Sequence, residues 1–174
     1  MSEGPGQNPE QFHFTTSVVT RENSHFLAKI RRAVDGIEDQ AKLNREVTKY
    51  SEGVVSPRIA FLAMNGEEVV GYIEINTSEE LPDGAPQVDG ISNFAHLSRV
   101  GTLNEYRRKG IAKNLIKLAE DWARDNDKDG MWLDYLEEKA ELHILYSGAD
   151  YVERVRFEDK DKGKTRIIAA KAWR

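Results

Sequence analysis

Val100-Gly101-Thr102-Leu103-Asn104-Glu105-Tyr106-Arg107-Arg108-Lys109-Gly110-Ile111-Ala112 joins a strand to a helix through a basic turn. Upstream, Ile91 to Thr102 reads as a long strand, with Phe94, His96, Ser98, Val100 and Thr102 on one side if no bulge intervenes. Downstream, Ile111, Leu115, Leu118 and Trp122 recur at helical spacing, which makes a stripe that packs on a sheet. The first N–H groups of such a helix lack intrahelical partners and carry the positive end of its dipole. A helix entered this way is an anion site. Gly110 lets the backbone come close to the anion, and Ala112 keeps the next position small. Arg107, Arg108 and Lys109 add charge and donors for a pyrophosphate or ribose phosphate. The turn has neither the Gly-Lys-Ser/Thr ending of a P-loop nor the glycine spacing of a dinucleotide turn.

Working outward, Phe12 to Val19 reads as a first strand. Asn23 or Ser24 caps a helix whose Phe26, Leu27, Ile30 and Val34 share a face, and Gly36 ends or bends it. A second helical stretch surrounds Leu43, Val47 and Tyr50. Arg58 to Met64 and Glu68 to Asn76 flank Asn65-Gly66, a strong hairpin signal. Residues 77–90 form a loop. Met131 to Tyr135 is a short buried strand and Glu138 to Ser147 a helix. Val152 to Phe157 and Thr165 to Ala172 make a closing hairpin, and the charge run 158–164 between them reads as solvated. Residues 1–11 read as a flexible tail, neither signal nor transit peptide, and 12–174 as a single domain.

The 174 residues contain no cysteine, which excludes disulfides, thiolate zinc sites and a cysteine nucleophile and fits a cytoplasmic protein. A net charge of −5 argues against a general nucleic-acid partner. No apolar run approaches the roughly 20 residues that span a bilayer, so a membrane partner is not expected. No His, Asp or Glu grouping has metal-ligand spacing, and no Gly-x-Ser-x-Gly elbow occurs.

Val100 to Ala112 resembles the acetyl-CoA motif of the GNAT N-acetyltransferases, with Thr102 and Asn104 as departures from its usual valine and proline. Trp132-Leu133-Asp134-Tyr135 followed by Leu145-Tyr146-Ser147-Gly148-Ala149-Asp150-Tyr151 is similar to a later segment of the same family. There Lys139 stands in place of a common asparagine, and Asp150-Tyr151 in place of Gly-Phe. The likeness covers roughly residues 58–157. It implies an α/β (α+β mixed) fold: a mostly antiparallel mixed sheet of about seven strands splayed between strands 4 and 5, flanked by about four helices. It also implies acetyl-CoA as acyl donor, with no metal. The pantetheine arm would lie in the splay beside Val100, Gly101 and Thr102, and the phosphates on Arg107, Arg108, Lys109, Gly110, Ile111 and Ala112.

The implied reaction is acetyl transfer to a primary amine by direct attack on the thioester. A small-molecule amine is preferred as acceptor over a protein amine. A lysine-like amine, with a pKa near ~10.4, must first lose a proton. By resemblance, Tyr146 protonates the leaving thiolate. His96 and Asp134 are rival bases, with Glu74 a distant third; an imidazole, with a reference pKa of ~6.5, suits the role. His13, His25 and His143 read as ordinary surface or helix positions. Glu79, Glu80, Asp83 and Asp89 make the 77–90 loop acidic, suited to drawing in a cation. The alternative reading is a non-catalytic acyl-CoA-binding sensor of the same fold. Dimers are common in the family, which leaves a homodimer open.

Overall fold

The Asn65-Gly66 step turns the chain as expected. Strands β2 (Arg58–Asn65) and β3 (Glu68–Asn76) pair antiparallel, with Gly66 at φ 62° in the first place of the two-residue turn. The computed structural model describes residues 13–51, 57–77, 80–160 and 162–173. The expected tail 1–11, Glu79 of the acidic loop and the side chain of Tyr50 lie outside the described residues.

The other strands are β1 (Thr15–Val18), β4 (Phe94–Thr102), β5 (Gly130–Leu136), β6 (Val152–Asp159) and β7 (Lys164–Ala172). They form one seven-stranded sheet in the order β1-β2-β3-β4-β5-β7-β6. Every neighbour pair is antiparallel except β4–β5, which is parallel. That pair is also short: Phe94, Ala95 and His96 face Gly130, Met131 and Trp132, and beyond them the strands part. This is the mixed, splayed sheet the sequence resemblance implied.

The helices are α1 (Ser24–Asp35), α2 (Gln40–Ser51), α3 (Ile111–Asp125) and α4 (Ala140–Ser147). On one face of the sheet Leu27, Ile30, Leu43 and Val47 pack on Ala60, Leu62 and Tyr72. On the other, Ile111, Leu115, Ile116, Ala119 and Ala123 pack on Ile73, Ile75, Leu97 and Leu133, with Tyr146 in the same cluster. The buried stripe of α3 therefore runs through Ala119 and Ala123, and Leu118 and Trp122 only flank it. Small residues there bring the helix close to the strands.

Three sequence expectations need correction. Strand β4 starts at Phe94, not Ile91, because Phe94 N–H donates to the Ile91 carbonyl (3.0 Å) and closes a turn first. Opposite β3, β4 carries one extra residue: Glu74 faces Arg99, whereas Ile75 faces Leu97. This bulge at Ser98 reverses the alternation. Phe94 and His96 consequently lie on the α1 face, while Val100 packs against the α3 cluster. Finally, Asn23 occupies the N-cap position of α1 but makes no capping bond. Its side chain instead accepts from Thr20 N–H (2.7 Å) and donates to the Val18 carbonyl (3.0 Å).

Candidate active site

At the end of β4 the chain passes through a 3₁₀ turn (Asn104–Tyr106) and enters α3. Arg108 at φ 60° and Gly110 at φ 79° are both left-handed. Alternation of this kind curls successive amides into an anion-binding concavity, and here it opens a 15-residue helix. Around it lies a cavity of about 190 Å³ lined by Thr102, Arg107, Arg108, Gly110, Ile111 and Ala112, among others. Arg107, Arg108 and Lys109 are exposed and Thr102 is buried. The Thr102 hydroxyl has no hydrogen-bond partner among the described residues, a donor left over for a ligand. The turn thus brings together cations, helix N-terminus and orphaned hydroxyl, a set that suits a phosphorylated group. Gly101 plays a different part: a Cβ there would meet Tyr72 Cε1 at 2.5 Å and Val34 Cγ1 at 2.8 Å. Its missing side chain is filled by the α1 face.

Where β4 and β5 part, three of the expected residues converge from two sides. Tyr146, on α4, is buried in the α3-face cluster beside Tyr135 (ring centroids 5.5 Å) and Tyr151 (6.1 Å, edge-on). Burial pushes its hydroxyl pKa well up, helped by the nearby charge of Asp134 and by Tyr135. It therefore stays protonated through neutral pH. On the opposite face, His96 Nε2 lies 3.2 Å from Asp134 Oδ1, and His96 Nδ1 lies 3.2 Å from Ser98 Oγ. The imidazole also stacks on Trp132 (centroids 3.9 Å, 20°). Burial acts to raise the Asp134 carboxyl, but His96 and Arg166 outweigh it and hold it below its usual value. An ionised carboxylate only accepts, so Nε2 carries the proton of the neutral ring and Nδ1 accepts from Ser98.

Arg166 was not singled out from sequence, yet it bridges Asp134 to Asp159 across β7 (2.8 Å to the Asp159 carboxylate). Asp159 is buried, so the charge run 158–164 is not wholly solvated. An arginine flanked by Thr165 and Ile167 in an apolar strand was the available signal. Glu74, the third candidate base, is fully buried and committed elsewhere: Arg31 Nε lies at 3.3 Å and Arg99 at 3.4 Å. Arg31 escaped the sequence reading because its place on α1 reads as polar surface. Asp150 adopts φ 66°, which explains how aspartate replaces glycine there, and the buried Tyr151 fills the aromatic place after it. His143 is engaged with the Tyr135 hydroxyl (3.0 Å). Among the described residues, no group of three or more His, Cys, Asp or Glu could hold a metal ion, and no helix is long and apolar enough to cross a membrane.

A family model described as "Acetyltransferase (GNAT) family" matches residues 25–147. Comparison with curated sequences gives no significant match. Among solved structures, the fold is similar to an aminoglycoside N-acetyltransferase in complex with CoA (TM-score 0.72, 15% identity, 87% of this chain and 95% of that one). It is similar to the ribosomal-protein-S18-alanine N-acetyltransferase from Escherichia coli (TM-score 0.68, 13% identity, 92% and 94%). It also resembles NAA60 of Arabidopsis thaliana in complex with acetyl-CoA (TM-score 0.68, 15% identity, 92% and 98%). At these identities the likeness speaks to the fold.

Proposed function

The chain belongs to the GNAT acetyltransferase family, and from that premise we propose that it moves an acetyl group from acetyl-CoA to the primary amine of a small molecule by direct attack on the thioester. The observation that carries this reading is the parting of β4 from β5 after His96 and Trp132, with Tyr146 on one face of the opening and the His96–Asp134 pair on the other. The anion-suited turn at Arg107–Gly110 lies on the Tyr146 side, since Leu145 helps line its cavity.

In this reading the turn, the N-terminus of α3 and the Thr102 hydroxyl hold the phosphates, and the thioester sits in the splay. His96 takes a proton from the incoming ammonium at Nδ1, through the Ser98 hydroxyl, and Asp134 stabilises the imidazolium at Nε2. The two rivals of the sequence reading thereby become partners. A backbone N–H at the β4 bulge faces the developing oxyanion. Tyr146, kept protonated by its surroundings, donates to the departing thiolate. The amine nitrogen forms the new C–N bond to the acetyl carbon as the C–S bond to CoA breaks, and the enzyme's own groups move only protons, so no covalent enzyme intermediate arises.

The test is calorimetric titration of acetyl-CoA into the protein, with Gly110→Glu as control, followed by thiol release across a panel of amines. Micromolar binding lost in the variant, with amine-dependent release, supports the reading. Binding without release from any amine would favour the acyl-CoA sensor, and no binding would remove both.

A further inference from the structure

The bulge in β4 has two places where it could sit. Downstream of it Val100 faces Ile73 and Gly101 faces Tyr72; upstream, Leu97 faces Ile75 and His96 faces Asn76. Packing anchors both sides. Leu97 and Val100 belong to the α3-face cluster, and Gly101 has no room for a Cβ against Tyr72 and Val34. These anchors leave two residues, Ser98 and Arg99, for the single place opposite Glu74, and the flanking register is the same whichever of them is extra. In the structure Arg99 takes that place and Ser98 is the extra residue. Arg99 Nη1 lies 3.4 Å from Glu74 Oε2, while Arg31 of α1 holds the other carboxylate oxygen at 3.3 Å. The hydroxyl of Ser98 is thereby left 3.2 Å from His96 Nδ1.

We propose that Arg99 is a positioning residue: its pairing with Glu74 keeps Ser98 in the bulge and so holds the Ser98 hydroxyl on His96. This deepens the transferase reading above and rests on it for the role of His96 as base. The choice between the two placements is electrostatic. Glu74 is fully buried, and a buried carboxylate must be met by charge or by hydrogen-bond donors. A guanidinium meets it with a charge-assisted contact, roughly twice as strong as one from a neutral hydroxyl. Arg99 does so at little desolvation cost, because its side chain is 45% exposed. Without that charge, Ser98 becomes the better partner for Glu74. The bulge then moves on by one residue, the Ser98 hydroxyl turns across the ladder to the carboxylate, and His96 Nδ1 loses its link. The apolar anchors on either side stay in place, so burial does not oppose the move.

The experiment compares the wild type with Arg99→Met, which keeps the apolar stem and removes the charge, by NMR and by thiol release. Cross-strand NOEs report which residue stands opposite Glu74. They should connect Glu74 to position 99 in the wild type and to Ser98 in Arg99→Met. The kcat of Arg99→Met should fall about tenfold, with the KM for acetyl-CoA within about twofold of the wild type. Arg99→Lys should restore the wild-type NOEs and most of kcat, since a single contact of 3.4 Å needs a charge and not a fork. Ser98→Ala should lose about as much kcat as Arg99→Met while keeping the wild-type NOEs. Glu74 NOEs that stay on position 99 in Arg99→Met overturn the inference whatever the activity does. Undiminished kcat in Arg99→Met or in Ser98→Ala overturns it as well. A wild type that releases no thiol with any amine counts against the transferase reading instead, and the NOEs decide the placement of the bulge separately.

Discussion

His96 Nε2 and Asp134 Oδ1, 3.2 Å apart, tie β4 to β5 at the last residue where the two strands pair. The contact closes the apex of the splay and sets the tautomer of the ring. Arg166 holds the other carboxylate oxygen of Asp134, so the acid cannot rotate away without breaking an ion pair. In the proposed mechanism this arrangement makes the carboxylate an orienting group and the imidazole the base.

Asp134→Asn should therefore cost kcat about 10²-fold, because an amide can present its NH₂ to Nε2 and invert the ring's tautomer. His96→Gln should cost at least as much. In both variants the KM for acetyl-CoA should stay within about twofold, since neither residue touches the phosphate turn. Steady-state thiol release measures each quantity. Loss in His96→Gln with full activity in Asp134→Asn would remove the orienting role.

Tyr146→Phe separates chemistry from packing. The ring sits among Tyr135 and Tyr151, and phenylalanine keeps those contacts. Acetyl-CoA affinity by calorimetry should be nearly unchanged, while kcat falls about 10- to 100-fold. An unchanged kcat would leave Tyr146 as a core tyrosine.

Glu74 is predicted to act on stability. With Arg31 and Glu74 both fully buried, Glu74→Gln removes the buried counter-charge of Arg31 and leaves the part-exposed Asp35 at 3.5 Å. Breaking such a pair costs about 3 kcal/mol or more, read as a fall of roughly 6–12 °C in Tm. Differential scanning calorimetry would show it. A wild-type Tm together with lost activity would return Glu74 to the list of bases.

Local signals carried most of the fold. Asn65-Gly66, Gly36 and the Ile111–Leu115 spacing each mark a feature set by neighbouring residues, and the hairpin, the α1 terminus and α3 follow from them. The bulge at Ser98 left no such mark, since Leu97-Ser98-Arg99 has no glycine to announce it. Register between distant strands is also invisible in one chain. Arg166 reaches Asp134 only because β7 pairs with β5 so that Leu136 faces Arg166. The buried Arg31 depends likewise on Glu74, far along the chain on β3. Motif residues were legible and their long-range partners were not.

Acid should weaken the apex first. Burial raises the Asp134 carboxyl, but His96 and Arg166 more than offset it, so the folded-state pKa lies below its unfolded value of ~3.9. A depressed carboxyl pKa means that the folded protein binds protons less readily than the unfolded chain. Its contribution is therefore complete above the unfolded value and disappears as pH falls through the folded one. The stability gap between wild type and Asp134→Asn, from urea unfolding, should be flat above about pH 5 and narrow below about pH 4. Arg166→Gln should shrink the gap at neutral pH, because it removes one of the two partners that depress the carboxyl. A gap that stays constant down to about pH 3 would mean that Asp134 gains nothing from its partners on folding, and its ionised role beside His96 would go with it.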